Sequence, residues 1–261
     1  MYKTAAFIAL LLAAPSFAQN GEPRTDFVAG GIAAVPDSPG ADSYRLIPFA
    51  AGRATLGGVV FQIEGPGLSA SLYNEGAIEA GAFVRYYGGR DDDTGDAIVD
   101  LLPEADSGIV AGGFVRYLAG QGLFNDFDRV YFSGRVGTDL TGEYGGAFWS
   151  GSVAYATPLS RTTLFIANLS VSGSPDDYAD RLFSVDAAAA AASGLPVYTA
   201  ESGIQDIGVT LFLDQQVTDA WSVTGIFGAS RLQGDYADSP IVSLRGDDMQ
   251  YFAGLGIGRR F

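Results

Sequence analysis

The sequence predicts an all-β fold, a transmembrane antiparallel β-barrel of about 12 strands with a short helix in a long extracellular loop. Three observations predict it. Apolar residues recur at every second position along most of the chain, small or polar residues stand between them, and the connecting segments alternate between long and short. A period of two is typical of β-strands. Together these features favour a sheet closed on itself, with lipid outside and a crowded lumen inside.

The segment Met249–Phe261 shows the pattern most clearly. Tyr251, Leu255 and Ile257 share one face, whereas the opposite face is mostly glycine. Tyr251 and Phe261 are separated by roughly 23 Å along the membrane normal, given ~3.3 Å per residue and a tilt of ~45°. That distance is close to the ~25 Å apolar band of an outer-membrane barrel. Phe261 also resembles the assembly signal of bacterial outer-membrane proteins. An edge strand of a soluble β-protein is the alternative that this segment leaves open.

The chain begins with the pattern of a secretory signal peptide. A basic residue, Lys3, is followed by a short apolar run and then by small residues. The predicted cleavage lies between Ala18 and Gln19, so residues 1–18 are the signal peptide and residues 19–261 form the outer-membrane barrel. We therefore expect export to the outer membrane of a Gram-negative cell.

Composition excludes several classes of function. The chain has 30 acidic against 15 basic residues and a net charge of −15, so nucleic acid is not an expected partner. Histidine is absent, which removes Ser–His catalysis and histidine-ligated metals. Cysteine is also absent, which is ordinary for a large closed sheet. We expect a protein without enzymatic activity, and the sequence indicates no catalytic, cofactor-binding or metal residues.

About 12 segments alternate in this way and are predicted as strands. In chain order they are Thr25–Val35, Tyr44–Arg53, Leu56–Ile63, Leu68–Tyr73, Ile78–Tyr87, Ile109–Tyr117, Arg129–Val136, Phe148–Tyr155, Thr163–Val171, Ile207–Asp214, Trp221–Ser230 and Met249–Phe261. Pro48 predicts a bulge or a weakly paired place in the second strand. In the fourth strand, Tyr73 is expected to share a face with Ser69 and Ser71.

The connections support an alternating, two-ended arrangement. Long loops at 88–107, 173–202 and 233–247 fall on one side, and short turns at 74–77, 158–161 and 216–220 fall on the other. Outer-membrane barrels have long extracellular loops and short periplasmic turns. The connection at 119–127 is long for a turn, and that at 64–67 is short for a loop.

The second long loop contains a run of alanine, Ala187–Ala192, that predicts a short helix. Cap candidates precede the run, and Gly194 and then Pro196 end it. This helix is expected to fold over the barrel mouth as a lid or to serve as a docking helix, and the lid is favoured.

The first long loop is acidic between Asp91 and Asp106. Carboxylate oxygens suit Ca²⁺ and Mg²⁺, but the loop lacks the regular spacing of a dedicated calcium loop. A solvated, self-repelling loop is therefore the favoured interpretation.

Several charged residues share the predicted inward face. They are Glu79, Arg85, Arg116, Arg129, Arg135 and Asp214. Such residues either line a pore and select ions by charge or form an internal network of ion pairs that fills a narrow barrel. The network is favoured, because bulky side chains share the face, namely Phe83, Phe114, Phe148, Phe212 and Phe252.

The second half of the chain resembles the MipA/OmpV family of outer-membrane proteins. The resemblance lies in Tyr178–Asp180, Ala191–Tyr198, Gly203–Gly208, Trp221–Ser222, Ser230–Leu232, Gly234–Asp235, Ala237–Val242 and Gly254–Phe261, with Gly89–Asp93 similar to the family's acidic loop. Phe183–Val185 departs from the family's usual Tyr-Phe-Gly-Val run. The resemblance carries over no residue-level site.

What the resemblance implies is an outer-membrane barrel without established enzymatic activity. The family's named member is described as a scaffold that joins a lytic murein transglycosylase, MltA, to a bifunctional penicillin-binding protein. Other members are described as adhesion or osmotic-response proteins. An envelope scaffold embedded among outer-membrane lipid and lipopolysaccharide is therefore the leading expectation, ahead of a small-solute channel and a surface adhesin.

Overall fold

The computed structural model describes residues 26–261, which form one closed antiparallel barrel of 12 strands. The strands are β1 (Phe27–Pro36), β2 (Tyr44–Leu56), β3 (Val59–Glu64), β4 (Gly67–Glu75), β5 (Ile78–Tyr87), β6 (Gly108–Gln121), β7 (Arg129–Asp139), β8 (Ala147–Pro158), β9 (Thr163–Ser174), β10 (Gly203–Gln216), β11 (Trp221–Leu232) and β12 (Met249–Arg260). The predicted fold class is confirmed. The predicted cleavage site between Ala18 and Gln19 lies outside the described residues.

The barrel closes where β1 pairs with β12. The register runs from Phe27 opposite Arg260 to Ala34 opposite Ala253. At the centre of this seam Gly31 lies opposite Gly256, and the absence of their side chains leaves room for the ring of Phe49 beside both. Closure leaves no unpaired edge along the seam. This is required in lipid, where backbone N–H and C=O groups without partners are costly.

The connections divide the barrel into two ends. What we call the loop end carries the connections at 37–43, 88–107, 140–146, 175–202 and 233–248, together with the short one at 65–66. The turn end carries those at 57–58, 76–77, 122–128, 159–162 and 217–220, together with Asp26 and Phe261. The predicted division into long and short connections is present, and the turn at 122–128 is the longest of its set.

The outer surface is apolar, and aromatic residues mark both ends of it. Exposed aliphatic side chains from every strand face outward, as Ile32, Leu255 and Ile257 do near the seam. Exposed aromatic residues near the loop end include Tyr44, Trp149 and Tyr251, and those near the turn end include Tyr73, Tyr117 and Trp221. Such a band with aromatic girdles is typical of a barrel in lipid. Within residues 26–261, no helix is both long and apolar enough to cross a membrane.

The β3–β4 hairpin is short at the loop end. Pairing between β2 and β3 begins at Ala51 opposite Glu64, so residues 44–50 of β2 pair with β1 alone. Pro48 lies in this stretch, and the β1–β2 register passes it without a shift. Of the two expectations for Pro48, the weakly paired place is therefore right and the bulge is wrong. A proline lacks a backbone N–H and is tolerated where one side of a strand has no partner.

A bulge in β4 changes one predicted face. The β4–β5 register shifts between Ser71 and Tyr73, so Leu72 and Tyr73 both point outward and are exposed. The expectation that Tyr73 shares an inner face with Ser69 and Ser71 is wrong, because the extra residue reverses the alternation. Tyr73 joins the aromatic residues at the turn end instead.

The long loops fold into a compact cap over the loop end. It contains α1 (Asp176–Phe183), α2 (Ala187–Ser193), α3 (Asp235–Asp238), α4 (Pro240–Ser243) and a 3₁₀ turn (Val99–Leu101). Their apolar side chains form a core with residues of the barrel wall, and this core includes Tyr144, Phe148, Tyr178, Phe183, Tyr236 and Val242. The loop end is therefore closed by folded structure.

Helix α2 is the helix that the alanine run predicts. The carboxylate of Asp186 accepts a hydrogen bond from the backbone N–H of Ala189 at 2.7 Å, and Gly194 ends the helix with a φ of 77°. Ala189 packs with Leu195 and Ile241 in a second small core of the cap. The helix thus packs within the cap, as the lid interpretation expects.

Candidate functional site

The lumen near the turn end is occupied by two ion pairs. Nη1 of Arg116 lies 2.7 Å from Oε2 of Glu79, and Arg260 pairs with Asp214. Asp214 also accepts a hydrogen bond of 2.7 Å from the hydroxyl of Thr224. These charged groups therefore have partners within the lumen.

A third pair lies farther towards the loop end. Nη2 of Arg135 lies 2.7 Å from Oε2 of Glu64. The same guanidinium stands over the rings of Phe83 and Phe114, at 5.6 and 5.7 Å from their centroids. Cation–π contacts of this kind are strengthened when the cation is desolvated. Arg135 therefore links the charged and aromatic residues of the inner face.

An apolar cluster fills more of the interior. Buried side chains from both sides of the barrel meet there, including Ile47, Leu164, Ile166, Phe212 and Phe252. With the ion pairs, they make the lumen a packed core over much of its length. This arrangement matches a filled barrel more closely than a charge-lined pore.

Alternation along the strands indicates the inner position of most charged residues, but not their partners. Arg129 lies half-buried at the turn end of β7, on the same alternating face as Arg135. Sequence reasoning missed Glu64, which it assigned to a turn, and Arg260, which shares a face with Gly258. The two-residue period could have indicated Arg260. Glu64 could not be found, because its pairing with Arg135 depends on where in the barrel the β3–β4 hairpin ends.

A cavity of about 180 Å³ lies in the half of the barrel below the cap. Small residues create it: Ser150 lies opposite Ser172, and Ser152 lies opposite Ser170, on the inner faces of β8 and β9. Hydroxymethyl groups do not span the lumen as the phenylalanine rings do elsewhere. The cavity therefore exists because this part of the wall is both small and polar.

Arg85 enters this cavity with donors that have no partner. The residue is 7% exposed, and its Nε and Nη2 make no hydrogen bond within residues 26–261. Its guanidinium stands 5.6 Å from the centroid of the Tyr87 ring. A buried cation without a hydrogen-bond partner is costly. Of the charged residues predicted to face inward, Arg85 therefore has the clearest chemical capacity to bind a ligand.

Two acceptors line the same cavity. Oδ1 of Asn168 is buried and has no hydrogen-bond partner among the described residues. The carboxylate of Asp206 accepts a hydrogen bond from the hydroxyl of Ser172. A register shift between Ile204 and Asp206 occurs where this carboxylate enters the cavity. Sequence reasoning did not select either residue, although Asp206 has the same alternation as Asp214.

The acidic loop is part of the cap and is held by Arg90. This arginine is buried and donates hydrogen bonds to the carbonyl oxygens of Leu182 at 2.7 Å and Pro103 at 2.9 Å. Burial lowers the pKa of Arg90 to about 10. Asp96 pairs with Arg245 at 2.6 Å. The loop is thus folded against its neighbours and not spread by repulsion, although Asp92, Asp93, Glu104 and Asp106 stay exposed, as a solvated loop predicts. Among residues 26–261, no three or more acidic side chains lie together in a cluster that could hold a metal ion.

The longest connection at the turn end, residues 122–128, is an ordered turn with exposed apolar side chains. The buried carboxylate of Asp128 accepts hydrogen bonds from the backbone N–H groups of Leu123 and Phe124, both at 2.7 Å. The hydroxyl of Tyr155 donates to it as well, at 3.0 Å. Although burial raises the pKa of Asp128, these donors lower it below its usual value overall. Phe124 is 83% exposed and makes an edge contact with the ring of Tyr155.

Comparisons with known proteins give one family and several solved structures, including two of low sequence identity. A family model described as "MltA-interacting protein MipA" matches residues 28–261. No curated protein matches the chain. The NanC porin structure has a TM-score of 0.46 and 7% identity, over 90% of this chain and 100% of that one. The Ralstonia pickettii toluene transporter TbuX has a TM-score of 0.37 and 10% identity, over 90% and 89%. At these TM-scores neither likeness informs function.

Proposed function

The chain belongs to the family of MltA-interacting proteins, MipA, and on that premise we propose that it is an outer-membrane β-barrel that serves as an envelope scaffold without enzymatic activity. Its partner is a lytic murein transglycosylase, which it binds at the turn end and brings close to a murein synthase such as a penicillin-binding protein. The barrel wall is surrounded by outer-membrane lipid, and the cap lies among lipopolysaccharide.

The observation that carries the proposal is the turn at 122–128. Short turns of outer-membrane barrels face the periplasm, where murein and its enzymes lie. The turn leaves the side chains of Leu123 and Phe124 uncovered by the rest of the protein, while Asp128 fixes the backbone that holds them. An exposed aromatic residue on a preorganised backbone is typical of binding hot spots, because little entropy is lost on association.

The packed lumen supports a scaffold over a channel. Three ion pairs and an apolar cluster occupy the interior, and the cap covers the loop end. A small-solute channel, the runner-up, needs a continuous path for its solute. Planar-bilayer conductance separates the two: a scaffold gives no steady current, and sustained currents of porin size would contradict the proposal.

In-cell crosslinking tests the partner directly. A photo-crosslinking amino acid at Phe124 is expected to capture a murein transglycosylase, identified by mass spectrometry. The same probe at Leu244, which is similarly apolar and exposed but lies at the loop end, is the matched control and should not capture it. Equal capture at both positions, or capture of no murein enzyme at Phe124, would argue against docking at the turn end.

A further inference from the structure

We propose that the lumen cavity binds a small carboxylate that also carries a hydrogen-bond donor, which is the chemistry of a small amino acid or hydroxy acid. The cavity has a volume of about 180 Å³. A cavity of about 150 Å³ holds benzene, so this space suits a ligand of roughly seven heavy atoms. Binding here is independent of the scaffold role, which uses the turn end.

Arg85 supplies the site for the carboxylate. Its unpartnered donors, Nε and Nη2, lie on one edge of the guanidinium and match the two oxygens of a carboxylate. The neighbouring Arg135 is already paired with Glu64 at 2.7 Å, so its charge is largely neutralised. Arg85 makes no ion pair within 4.0 Å among the described residues, which leaves its edge available to a ligand.

Asn168 and Asp206 supply the site for the donor. Oδ1 of Asn168 is buried without a partner, and a hydroxyl or ammonium group would satisfy it. The carboxylate of Asp206 accepts from Ser172 and has further lone pairs for a second donor. Both residues line the same cavity as Arg85.

The charges of the lining select a ligand with both groups. A simple anion would gain the contact with Arg85 but would be repelled by Asp206, and a simple cation would have the opposite difficulty. A molecule with a carboxylate at one end and a donor at the other satisfies both sides. Serine hydroxyls of β8 and β9 surround the space between them and can donate or accept.

Titration calorimetry on the folded protein in detergent tests the chemistry with four probes. They are L-serine, L-lactate, propionate, which lacks the donor, and ethanolamine, which lacks the carboxylate. We expect saturable binding of L-serine, L-lactate or both, at least tenfold tighter than propionate and ethanolamine. Which of the two binds more tightly distinguishes an amino acid from a hydroxy acid. Equal binding of propionate, or no binding of any probe up to about 10 mM, would overturn the proposal.

Two variants connect binding to the cavity. Arg85→Gln removes the charge and is expected to weaken L-serine or L-lactate binding by about ten- to a hundredfold, the range for a hydrogen bond to a charged group. Arg129→Gln, an arginine of the same alternating face at the turn end, should bind as the parent does. Heat-modifiable electrophoretic mobility verifies folding of each. If Arg85→Gln does not fold, Asn168→Ala replaces it, with a loss of at least fivefold expected, and unchanged binding in the folded variant would contradict the assignment.

Discussion

Arg135 on β7 and Glu64 at the end of β3 form an ion pair inside the barrel, with Nη2 and Oε2 2.7 Å apart and the two side chains only 9% and 7% exposed. The pair ties the short β3–β4 hairpin to β7 through the lumen. Replacing Arg135 by glutamine leaves the carboxylate of Glu64 buried without its counter-ion, which costs about 3–5 kcal/mol. Urea unfolding in lipid vesicles, followed by electrophoretic mobility, is expected to show this loss in the free energy of unfolding.

Two controls separate burial from charge. Arg231→Gln breaks the ion pair with Asp248 at the surface and should cost less than about 1 kcal/mol. The double variant Arg135→Gln with Glu64→Gln should recover much of the lost stability, because no uncompensated charge remains. Equal losses for Arg135→Gln and Arg231→Gln would show that the lumen pair is not desolvated.

The seam of the barrel depends on Gly31. A Cβ at this position would clash with the carbonyl oxygen of Leu255 and would lie 2.6 Å from Cα of Gly256. Gly31→Ala therefore forces β1 and β12 apart, with a cost of about 1–3 kcal/mol, as for other overpacked positions. The folded fraction after refolding into vesicles should fall accordingly.

Gly30 is the matched control for the seam. Its Cβ would point towards lipid and would have as its neighbour only the carbonyl oxygen of Phe49, at 3.8 Å. Gly30→Ala should refold as efficiently as the parent. If Gly31→Ala refolds equally well, β1 and β12 do not approach each other at the seam as closely as the contacts around Gly31 indicate.

The closed barrel was predictable because its signal is repeated. Each strand adds an alternation that is weak alone, and the strands agree with one another in phase with the lengths of their connections. Alternation also indicated the inner position of Phe83, Phe114 and Arg116, because a pleated strand fixes the face of each side chain. The alanine helix was predictable from local capping, as Asp186 and Gly194 show.

The cavity and the ion-pair partners were not predictable from the sequence. Glu64 and Arg135 meet because the short β3–β4 hairpin ends at the level of Arg135 inside the barrel. Which residues of different strands share a level depends on the shear of the closed sheet. Tyr73 was misplaced because one extra residue at Leu72 reverses the alternation. Asp206 and Asn168 gain their importance from unpaired groups across the lumen, which no local pattern reports.

The phenol of Tyr144 is expected to make one contribution to cap stability that is lost in alkali. Burial raises the pKa of this phenol to about 12, and its hydroxyl donates to the carbonyl oxygen of Asp106. The folded state favours the neutral phenol, so this contribution is complete below pH 10, the ordinary value, and is lost as the pH rises through about 12. Ionisation of Tyr144 should therefore speed protease cleavage of the cap over that range relative to a variant that lacks the phenol.

A comparison of variants isolates this contribution. Arg90, whose pKa is lowered to about 10, contributes with the opposite sign between pH 10 and its ordinary value of 12.5. Because the two contributions oppose each other, the prediction concerns the difference between variants. Cleavage should rise less steeply with pH in Tyr144→Phe than in the parent, whereas Tyr73→Phe, on the outer surface, should match the parent. An identical pH dependence for Tyr144→Phe and the parent would exclude Tyr144 as the titrating group.

Asp128 is expected to control docking at the turn end without supporting the barrel. Asp128→Asn exchanges one acceptor oxygen for an amide group, so at least one of the backbone N–H groups of Leu123 and Phe124 loses its partner. The turn should become mobile, with faster chymotrypsin cleavage at Phe124 and at least tenfold weaker binding of a purified murein transglycosylase. Asp126→Asn, a change at an exposed residue of the same turn, should alter neither the cleavage rate nor the binding.

The pH dependence of the turn follows from the lowered pKa of Asp128. Its stabilisation of the turn is complete at neutral pH and is lost only as the pH falls below about 3.8. Faster cleavage with unchanged binding would keep the account of the turn but reject it as the docking surface, and unchanged cleavage would reject both.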